Sequence, residues 1–583
     1  MRRLLYALAC AALIAPATAE PDFTPTPRPA FNGIAKPADP VLYREIFALQ
    51  SEANWQRADR LIADIEDPIL MGYVLFQRYM HPTAYRAKWT ELRDWLKNYA
   101  DQPGAWRVYK LAQKRKPRGV AMPKRPPARI YHDEVLDAGS PLFRSKQARR
   151  IKYHVISLIR RERPTQALRH IRARNQARRL SETESDFLKS LIARSYYIEG
   201  KVGESLKHAE AATRSRANVP MADWHAGLAA WRQSETARAI GHFEALAANR
   251  AASAALRARG AFWAARGHLR RGDEETAEEH LEYAARSGAH FYGLLAQSRI
   301  TGEAQIMWAR LDEDADTALD THPALRRAEV LRAAARPEWG EQELLYLQER
   351  LTDREARALL RYAKRQDYPA VQLALSSRLA AREPVRDDLP VVLSEGLYPE
   401  LRAAKNLTLD RAIVFALIRQ ESRFKARARS NAGARGLMQL MPHTAAFISG
   451  DRTLAYRSGR ERLLDTSLNL ELGQKYLTML LDEKYYGDNL VLALAAYNAG
   501  PGTLKRWRRE LAEIDDPLLF IESVPAGETR RYLQKVLANL WIYRNRLGQE
   551  AISQRILANE TWPYYVAQDH QARLFRAAGS RPR

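Results

Sequence analysis

The chain has 583 residues, of which 46% are hydrophobic and 28% are charged, and its formal net charge is +25 at pH 7. That length is enough for a large core and for two to four domains. Its one cysteine, Cys10, excludes an intramolecular disulfide, so the fold must be stable by packing alone.

The first segment has the order of a secretory signal peptide. Arg2 and Arg3 precede an apolar run over 4–14, and the small residues Ala17-Thr18-Ala19 follow it. The run is too short to span a membrane, so we expect cleavage after residue 19 and export to the periplasm. Lipidation at Cys10 stays open as an alternative, and so does association with the sacculus or the outer membrane.

A leader over 20–40 contains six prolines, and the region from about 41 to 379 then has the composition of helices. Within it a weak repeat places four histidines 38, 34 and 38 residues apart, which is the length of a helical hairpin in a solenoid. We expect these histidines to be packing positions and not metal ligands, because they fall on successive hairpins. The repeated histidines are His170, His208, His242 and His280.

A basic segment over 114–129, with seven basic residues and four prolines, interrupts the helical region and is predicted to be an exposed loop. The positive charge favours an anionic partner, such as nucleic acid, lipid headgroups or a cell wall with free carboxylates. Export argues against nucleic acid, so the cell wall is the better candidate.

One acidic motif, Asp312-x-Asp314-x-Asp316, has the spacing of a calcium loop. Thr317 stands where that loop needs glycine, and Pro323 stands where it needs a bidentate carboxylate. We therefore predict no metal site and no organic cofactor.

The stretch from Ala416 to Pro442 delivers a single carboxylate, Glu421, from an apolar helical run into a segment that contains Gly433 and Gly436. Apolar neighbours disfavour the charged form of a carboxyl group and raise its pKa, which suits a general acid at the edge of a cleft. A solvated glutamate at a helix end is the alternative. The apolar neighbours are Leu417, Phe424, Leu437, Met438 and Met441.

Four ordered blocks, the first of which contains Glu421, resemble the catalytic domain of the soluble, periplasmic lytic transglycosylases. The likeness is strong over about residues 394–550. The blocks are Glu421-Ser422-x-Phe424 with Ala428, Ser430, Gly433-Ala434 and Gly436-Leu437-Met438-Gln439-x-Met441-Pro442; Asn469-Leu470-x-Leu472-Gly473-x-x-Tyr476-Leu477; ALAAYNAGPG over 493–502; and Glu528-Thr529-Arg530-x-Tyr532-x-x-x-Val536.

The resemblance implies an all-α chain with three folded parts. We expect a helical-hairpin superhelix over 41–300 that curves into a ring, a helical linker domain over 301–385, and a lysozyme-like α domain over 394–550. Residues 551–583 would form a C-terminal tail. The sequence His-Phe-Tyr-Gly from His290 resembles the point where the superhelix ends in this family.

The resemblance also implies a peptidoglycan lytic transglycosylase, a lyase that cleaves the β-1,4 bond between N-acetylmuramic acid and N-acetylglucosamine without water. Glu421 would act first as acid and then as base, leaving 1,6-anhydro ends. Two alternatives stay open: a lysozyme-like hydrolase, and an inactive glycan-binding scaffold. The residues expected to bind substrate are Ser430, Gln439, Met441, Tyr497, Asn498 and Glu528.

The expected partner is the peptidoglycan glycan strand, with other cell-wall enzymes as further candidates. We expect a monomer without a transmembrane segment.

Overall fold

The structure is a computed structural model that describes residues 39–126, 143–311, 319, 321–382, 389–402, 407–456, 459–482 and 484–570. The predicted signal peptide, most of the leader, the end of the basic segment and the Asp312 motif lie outside these residues. The chain divides into two compact units. One comprises the described residues of 1–129 and 321–347, and the other those of 130–320 and 348–583.

The first unit is a small helical body with its own core. Its first helix begins where the Asp39 carboxylate accepts hydrogen bonds from the backbone N–H groups of Val41 and Leu42, which satisfies two of the free donors at a helix start. Tyr43, Phe47, Val74, Leu92 and Trp95 are among the residues of the core. Its helices are α1 Pro40–Ser51, α2 Trp55–Ala63, α3 Met71–Tyr79, α4 Trp89–Tyr99, α5 Ala105–Arg115, α16 Pro323–Ala333 and α17 Pro337–Leu347.

In the described residues 143–311 of the second unit, ten helices carry the predicted repeat. From α9 to α15 each helix packs on the next one in the chain, as expected of stacked hairpins. Trp224, Trp231, Phe243 and Trp263 form an aromatic cluster in the core. The helices are α6 Lys146–Arg160, α7 Pro164–Arg172, α8 Arg174–Ala177, α9 Glu182–Ile198, α10 Val202–Ala212, α11 Met221–Arg232, α12 Thr236–Ala247, α13 Ala254–Arg270, α14 Glu274–Arg286 and α15 Phe291–Thr301.

Two of the repeated histidines, His242 and His280, make polar contacts in addition to packing. His242 Nδ1 lies 3.0 Å from Asp223 Oδ1, and His242 Nε2 lies 3.3 Å from Glu210 Oε1. His280 Nε2 lies 3.4 Å from Glu244 Oε1. Each of these two histidines therefore meets a carboxylate from the preceding hairpin, which the spacing alone did not indicate.

Between the superhelix and the C-terminal helices, two four-residue strands interrupt the all-α pattern. Strand β1 Ile306–Ala309 pairs in parallel with β2 Val391–Ser394, and Ile306 is aligned with Val391. Segments this short carry too little alternation to be predicted from sequence. The helices α18 Asp353–Arg365 and α19 Pro369–Ala380 precede β2.

The C-terminal region begins with α20 Arg411–Glu421, whose apolar residues 412–418 are all buried. Helix α20 packs along α26. The segment predicted as a tail contains a further helix, α27 Ile552–Ala558. After this helix, the Tyr565 hydroxyl donates a hydrogen bond to the buried Asp410 carboxylate. The helices are α20 Arg411–Glu421, α21 Pro442–Ser449, α22 Thr466–Leu480, α23 Leu490–Ala499, α24 Pro501–Glu510, α25 Pro517–Ser523, α26 Gly527–Arg546 and α27 Ile552–Ala558.

The prediction of an all-α fold is confirmed, with the β1–β2 pair as the exception among the described residues. The predicted domain boundaries stay a prediction. None of the described helices is both long and apolar enough to cross a lipid bilayer.

Candidate active site

Glu421 is the last residue of helix α20. The helix ends there because Arg423 and Phe424 have left-handed backbone angles, with φ of 52° and 63°, which a continuing helix cannot accommodate. The Ser422 hydroxyl donates to the carbonyl of Ile418 and closes the last turn. Phe424 is buried and anchors the turn in the core. The glutamate is thus fixed at the point where the chain leaves the helix.

Burial raises the pKa of the Glu421 carboxyl from its ordinary value of 4.5 to about 7. The Tyr532 hydroxyl beside the carboxylate lowers this pKa, and the nearby charge of Glu528 raises it. Burial is the largest of the three effects, because removing a carboxylate from water disfavours its charged form. At neutral pH the group is therefore partly protonated and can donate a proton.

Two tyrosines face the glutamate from different helices. Tyr497, on α23, donates a hydrogen bond of 2.9 Å to the carbonyl of Met438. Burial raises the pKa of the Tyr497 hydroxyl well above 10.0, and the charge of the Glu421 carboxylate raises it further. Tyr532, on α26, is buried, and burial and the Glu421 charge together raise its pKa well above 10.0. Both tyrosines therefore stay protonated beside Glu421, and Tyr532 is the one whose hydroxyl stabilises the Glu421 carboxylate.

Tyr532 was not among the predicted site residues. It belongs to the fourth sequence block, but a tyrosine at helical spacing is more often a core residue. Only the packing of α20 on α26 places its hydroxyl next to Glu421.

The loop that carries Gln439 forms one wall of the site. Gln439 has a left-handed φ of 47°, and its side-chain amide donates to the carbonyl of Gly436 at 2.8 Å. Met441 is 40% exposed, so it is not a core residue and is available for contact with a ligand. The Gln439 amide therefore stabilises the turn at Gly436, and the Met441 thioether lies at the surface.

Asn469, on α22, holds this loop through three hydrogen bonds to backbone groups. Its amide nitrogen donates to the carbonyls of Arg435 and Leu463, both at 2.9 Å, and its oxygen accepts from the Met438 N–H at 2.8 Å. A Cβ at Gly436 would lie 2.3 Å from the Asn469 amide nitrogen, so only glycine fits there. Asn469 thereby positions Met438, whose carbonyl holds Tyr497.

Ser430 and Asn498 bind backbone or neighbouring side chains in this structure. The Ser430 hydroxyl accepts a hydrogen bond from the Ala434 N–H at 2.9 Å and stabilises the turn before Gly436. The Asn498 side-chain oxygen accepts from the Thr529 hydroxyl at 2.7 Å and so joins α23 to α26. Both side chains shape the site through these contacts.

Glu528 lies in the first turn of α26 and is exposed. It is the second carboxylate near Glu421, as its effect on the pKa of Glu421 indicates. The structure thus brings Glu421, Tyr497 and Glu528 together, whereas Gln439 and Met441 lie on the loop whose Met438 carbonyl holds Tyr497.

Comparison with known proteins agrees with this geometry. Residues 399–518 match the family model of the transglycosylase SLT domain. This segment, hereafter the SLT domain, is similar to the transglycosylase SLT domain. It contains Glu421 and Tyr497, and the resemblance to soluble lytic transglycosylases predicted from the four blocks is confirmed. The matched segment ends at residue 518, before Glu528 and Tyr532. These two residues lie on α26, outside the match.

The chain is 30% identical over 296 residues to the soluble lytic murein transglycosylase of Escherichia coli strain K12, a match that covers 50% of this chain and 44% of that protein. It is 29% identical over 308 residues to the same enzyme of Salmonella typhimurium, covering 52% and 45%. In these matches the chain spans about half the length of its curated relatives.

A solved structure extends the likeness to the fold outside the SLT domain. The crystal structure of the 70-kDa soluble lytic transglycosylase of Escherichia coli aligns with a TM-score of 0.53 and 19% identity, over 90% of this chain and 99% of that one. At this identity the likeness concerns the fold alone. It supports a fold in which a helical superhelix precedes the C-terminal helices.

Proposed function

We propose that the chain is a peptidoglycan lytic transglycosylase that acts in the periplasm. The observation that carries this proposal is Glu421, a carboxyl group within an SLT domain whose burial raises its pKa to about 7. A group with that pKa holds a proton for a leaving group near neutral pH and can take one back afterwards.

In the proposed first step, the Glu421 carboxyl donates its proton to the glycosidic oxygen between N-acetylmuramic acid and N-acetylglucosamine. The C1–O bond breaks, and the N-acetylglucosamine side leaves with a hydroxyl group. The substrate's own acetamido oxygen would stabilise the positive charge that develops at C1. The Tyr532 hydroxyl stays protonated and would help to hold the Glu421 carboxylate that this step leaves, while the Tyr497 hydroxyl stays bound to the Met438 carbonyl.

In the second step, the C6 hydroxyl of the same N-acetylmuramic acid attacks C1, and the Glu421 carboxylate accepts its proton. The product is a 1,6-anhydro ring, and the enzyme returns to its starting state. Well-oriented intramolecular groups reach effective molarities of about 10⁵ M or more, so a held C6 hydroxyl can react before water does.

Gln439 and Met441 are the proposed sugar contacts, and Glu528 would contact the substrate at the open side of the site. For Ser430 and Asn498 the hydrogen bonds support a positioning role, in the turn before Gly436 and between α23 and α26. The proposed substrate is the glycan strand, whose stem carboxylates suit the positive charge of the chain. Domain boundaries at 300 and 394, export by residues 1–19 and docking of other cell-wall enzymes are part of this proposal.

A lysozyme-like hydrolase is the second candidate, because Glu528 supplies a second carboxylate near Glu421. Hydrolytic glycosidases usually use two carboxylates, one of which activates water or forms a covalent bond to the sugar. The two candidates differ in their products and in what Glu528 does.

Mass spectrometry of the soluble products released from purified peptidoglycan tests both. We expect anhydromuropeptides from the wild-type chain, none from Glu421→Gln, and anhydromuropeptides at a reduced rate from Glu528→Gln. Products with reducing ends that Glu528→Gln abolishes would establish the hydrolase. The absence of any product from the wild-type chain would favour the inactive scaffold.

A further inference from the structure

A cluster of two histidines and a glutamate lies in the superhelix, outside the site described above. His268 on α13, His280 on α14 and Glu244 on α12 each offer one ligand atom, and these three atoms lie within 4.8 Å of one another. His268 Nε2 is 2.8 Å and His280 Nε2 is 3.4 Å from the same oxygen, Glu244 Oε1. The two imidazole rings are stacked, with centroids 5.5 Å apart.

A fourth residue orients the first histidine. His268 Nδ1 lies 2.9 Å from the Asp273 carboxylate, so both ring nitrogens of His268 face carboxylate oxygens. A neutral imidazole has one N–H, and when Asp273 accepts it the lone pair on Nε2 is directed at Glu244. A carboxylate behind a histidine ligand is the usual outer partner of a zinc-bound imidazole, because it fixes the ring and its tautomer.

The preceding repeat shows what makes this cluster different. There His242 lies between Asp223 and Glu210, and Arg238 binds both oxygens of Glu210 at 2.6 Å. Thr276, four residues before His280, stands where the repeat has Arg238 four residues before His242. Among the described residues, the ion pairs of Glu244 are with histidines only.

We propose that Glu244, His268 and His280 form a site for a divalent transition-metal ion of the Zn²⁺ type, with Asp273 as the outer partner of His268. Two imidazole nitrogens and one carboxylate oxygen suit Zn²⁺, which binds such ligands at about 2.0–2.2 Å in a tetrahedral arrangement. Tetrahedral ligand atoms at that distance from the ion lie about 3.3–3.4 Å apart. The 3.4 Å contact of His280 with Glu244 already has this separation, and the 2.8 Å contact of His268 with Glu244 would lengthen by about 0.5 Å when the ion binds. Water would fill the fourth position, since Glu244 is 39% and His280 22% exposed.

Such an ion would join three consecutive helices of the superhelix. Binding to the folded chain alone raises its stability as the metal concentration rises. The site would therefore stabilise the repeat by cross-linking its helices, and it has no part in the proposed chemistry at Glu421.

Isothermal titration of Zn²⁺ into the metal-free full chain at pH 7.5 tests the proposal, with Mg²⁺ as the comparison ion. We expect one saturable Zn²⁺ site and a melting temperature that rises with Zn²⁺. Glu244→Gln and His280→Ala should weaken Zn²⁺ binding by about 100-fold or more, and Asp273→Asn by about 10- to 100-fold. His242→Ala, which removes the equivalent histidine of the preceding repeat, should leave the affinity unchanged.

X-ray absorption of the zinc-loaded chain should show nitrogen and oxygen ligands at about 2.0–2.2 Å, with the scattering of two imidazole rings. The proposal is overturned if the wild-type chain binds no Zn²⁺ up to millimolar concentration. It is also overturned if binding persists unchanged in both Glu244→Gln and His280→Ala. The histidines would then form only ion pairs with Glu244 and Asp273. If Glu244→Gln or His280→Ala fails to fold, the Zn²⁺ affinity of Asp273→Asn still tests the site, because Asp273 is not itself a proposed ligand.

Discussion

At the scale of single residues, the balance between burial and the Tyr532 hydroxyl sets the acidity of Glu421. Burial raises the pKa of Glu421 to about 7, and Tyr532 limits that rise by stabilising the carboxylate. If Glu421 must be protonated to act, kcat/KM falls as pH rises through about 7 and is about tenfold below its plateau at pH 8.

Changing Tyr532 to Phe removes the stabilising hydroxyl, so the pKa of Glu421 should rise further. We expect the fall of kcat/KM to move to higher pH in the pH–rate profile, together with a lower kcat. Tyr476→Phe is the matched control, since Tyr476 packs on Tyr497 at 5.2 Å but is not among the groups that shift the pKa of Glu421. A profile in Tyr532→Phe that moves to lower pH would contradict this role.

The raised pKa of Glu421 also predicts how stability depends on pH. The pKa of Glu421 in the folded chain, about 7, is above the ordinary value of 4.5. Ionisation of Glu421 therefore lowers the free energy of unfolding: the loss is absent below pH 4.5, grows between pH 4.5 and pH 7, and is constant above pH 7. Glu421→Gln should therefore stabilise the chain at pH 8 by up to about 3 kcal/mol and have no such effect at pH 4.

Denaturation of both chains at pH 4, 6 and 8 measures this difference. Glu471→Gln is the control, because Glu471 is exposed and its pair with Lys475 contributes only a few tenths of a kcal/mol. A Glu421→Gln chain that is less stable than wild type at pH 8 would show that the carboxylate is better solvated than its burial indicates.

The position of Glu421 could be predicted from sequence, whereas the surroundings that tune it could not. An apolar run that ends at a carboxylate before Gly433 and Gly436 is visible in the residues themselves. The contribution of Tyr532 depends on how α26 packs on α20, and 111 positions separate it from Glu421. Asn469 also escaped prediction, because its hydrogen bonds to three backbone groups exist only in the folded chain.

At the scale of elements, α22 supports the loop that supports Tyr497. Asn469→Ala leaves the Arg435 and Leu463 carbonyls and the Met438 N–H without this partner in a buried place. We expect a loss of at least about 2 kcal/mol of unfolding free energy, because an unsatisfied buried group costs about 1–3 kcal/mol. We also expect a lower kcat, since Met438 would no longer hold Tyr497 in place.

Gly436→Ala should also lower the free energy of unfolding, because Gly436 packs directly against Asn469. Its Cβ would collide with Asn469 and with the Leu463 carbonyl, and its φ of 79° is unfavourable for alanine. Gly502→Ala, at a nearby glycine where a Cβ meets nothing within 4 Å, should cost little. Denaturant unfolding measures all three variants, and equal stability of Gly436→Ala and Gly502→Ala would contradict the role of this contact.

At the scale of the whole second unit, the superhelix holds the turn that leads into α26. Tyr292 donates a hydrogen bond of 2.5 Å to the buried Glu522 carboxylate, and Arg194 donates to the Glu522 carbonyl at 2.6 Å. Arg530 then binds the Val524 carbonyl at 2.6 Å. The repeat with its histidine spacing was visible in sequence, but these contacts were not, because their partners are 230 to 328 residues apart.

This arrangement makes Tyr292→Phe the sharpest test of whether the superhelix supports the active site. The change keeps the ring and removes one donor to a buried carboxylate, so we expect a loss of about 1.5–3 kcal/mol of stability. Because Glu522 lies just before the turn into α26, which carries Glu528 and Tyr532, kcat on peptidoglycan should fall as well. Tyr283→Phe, at an exposed tyrosine of α14, should change neither quantity. A stable Tyr292→Phe chain with wild-type kcat would mean that the SLT domain positions α26 without help from the superhelix.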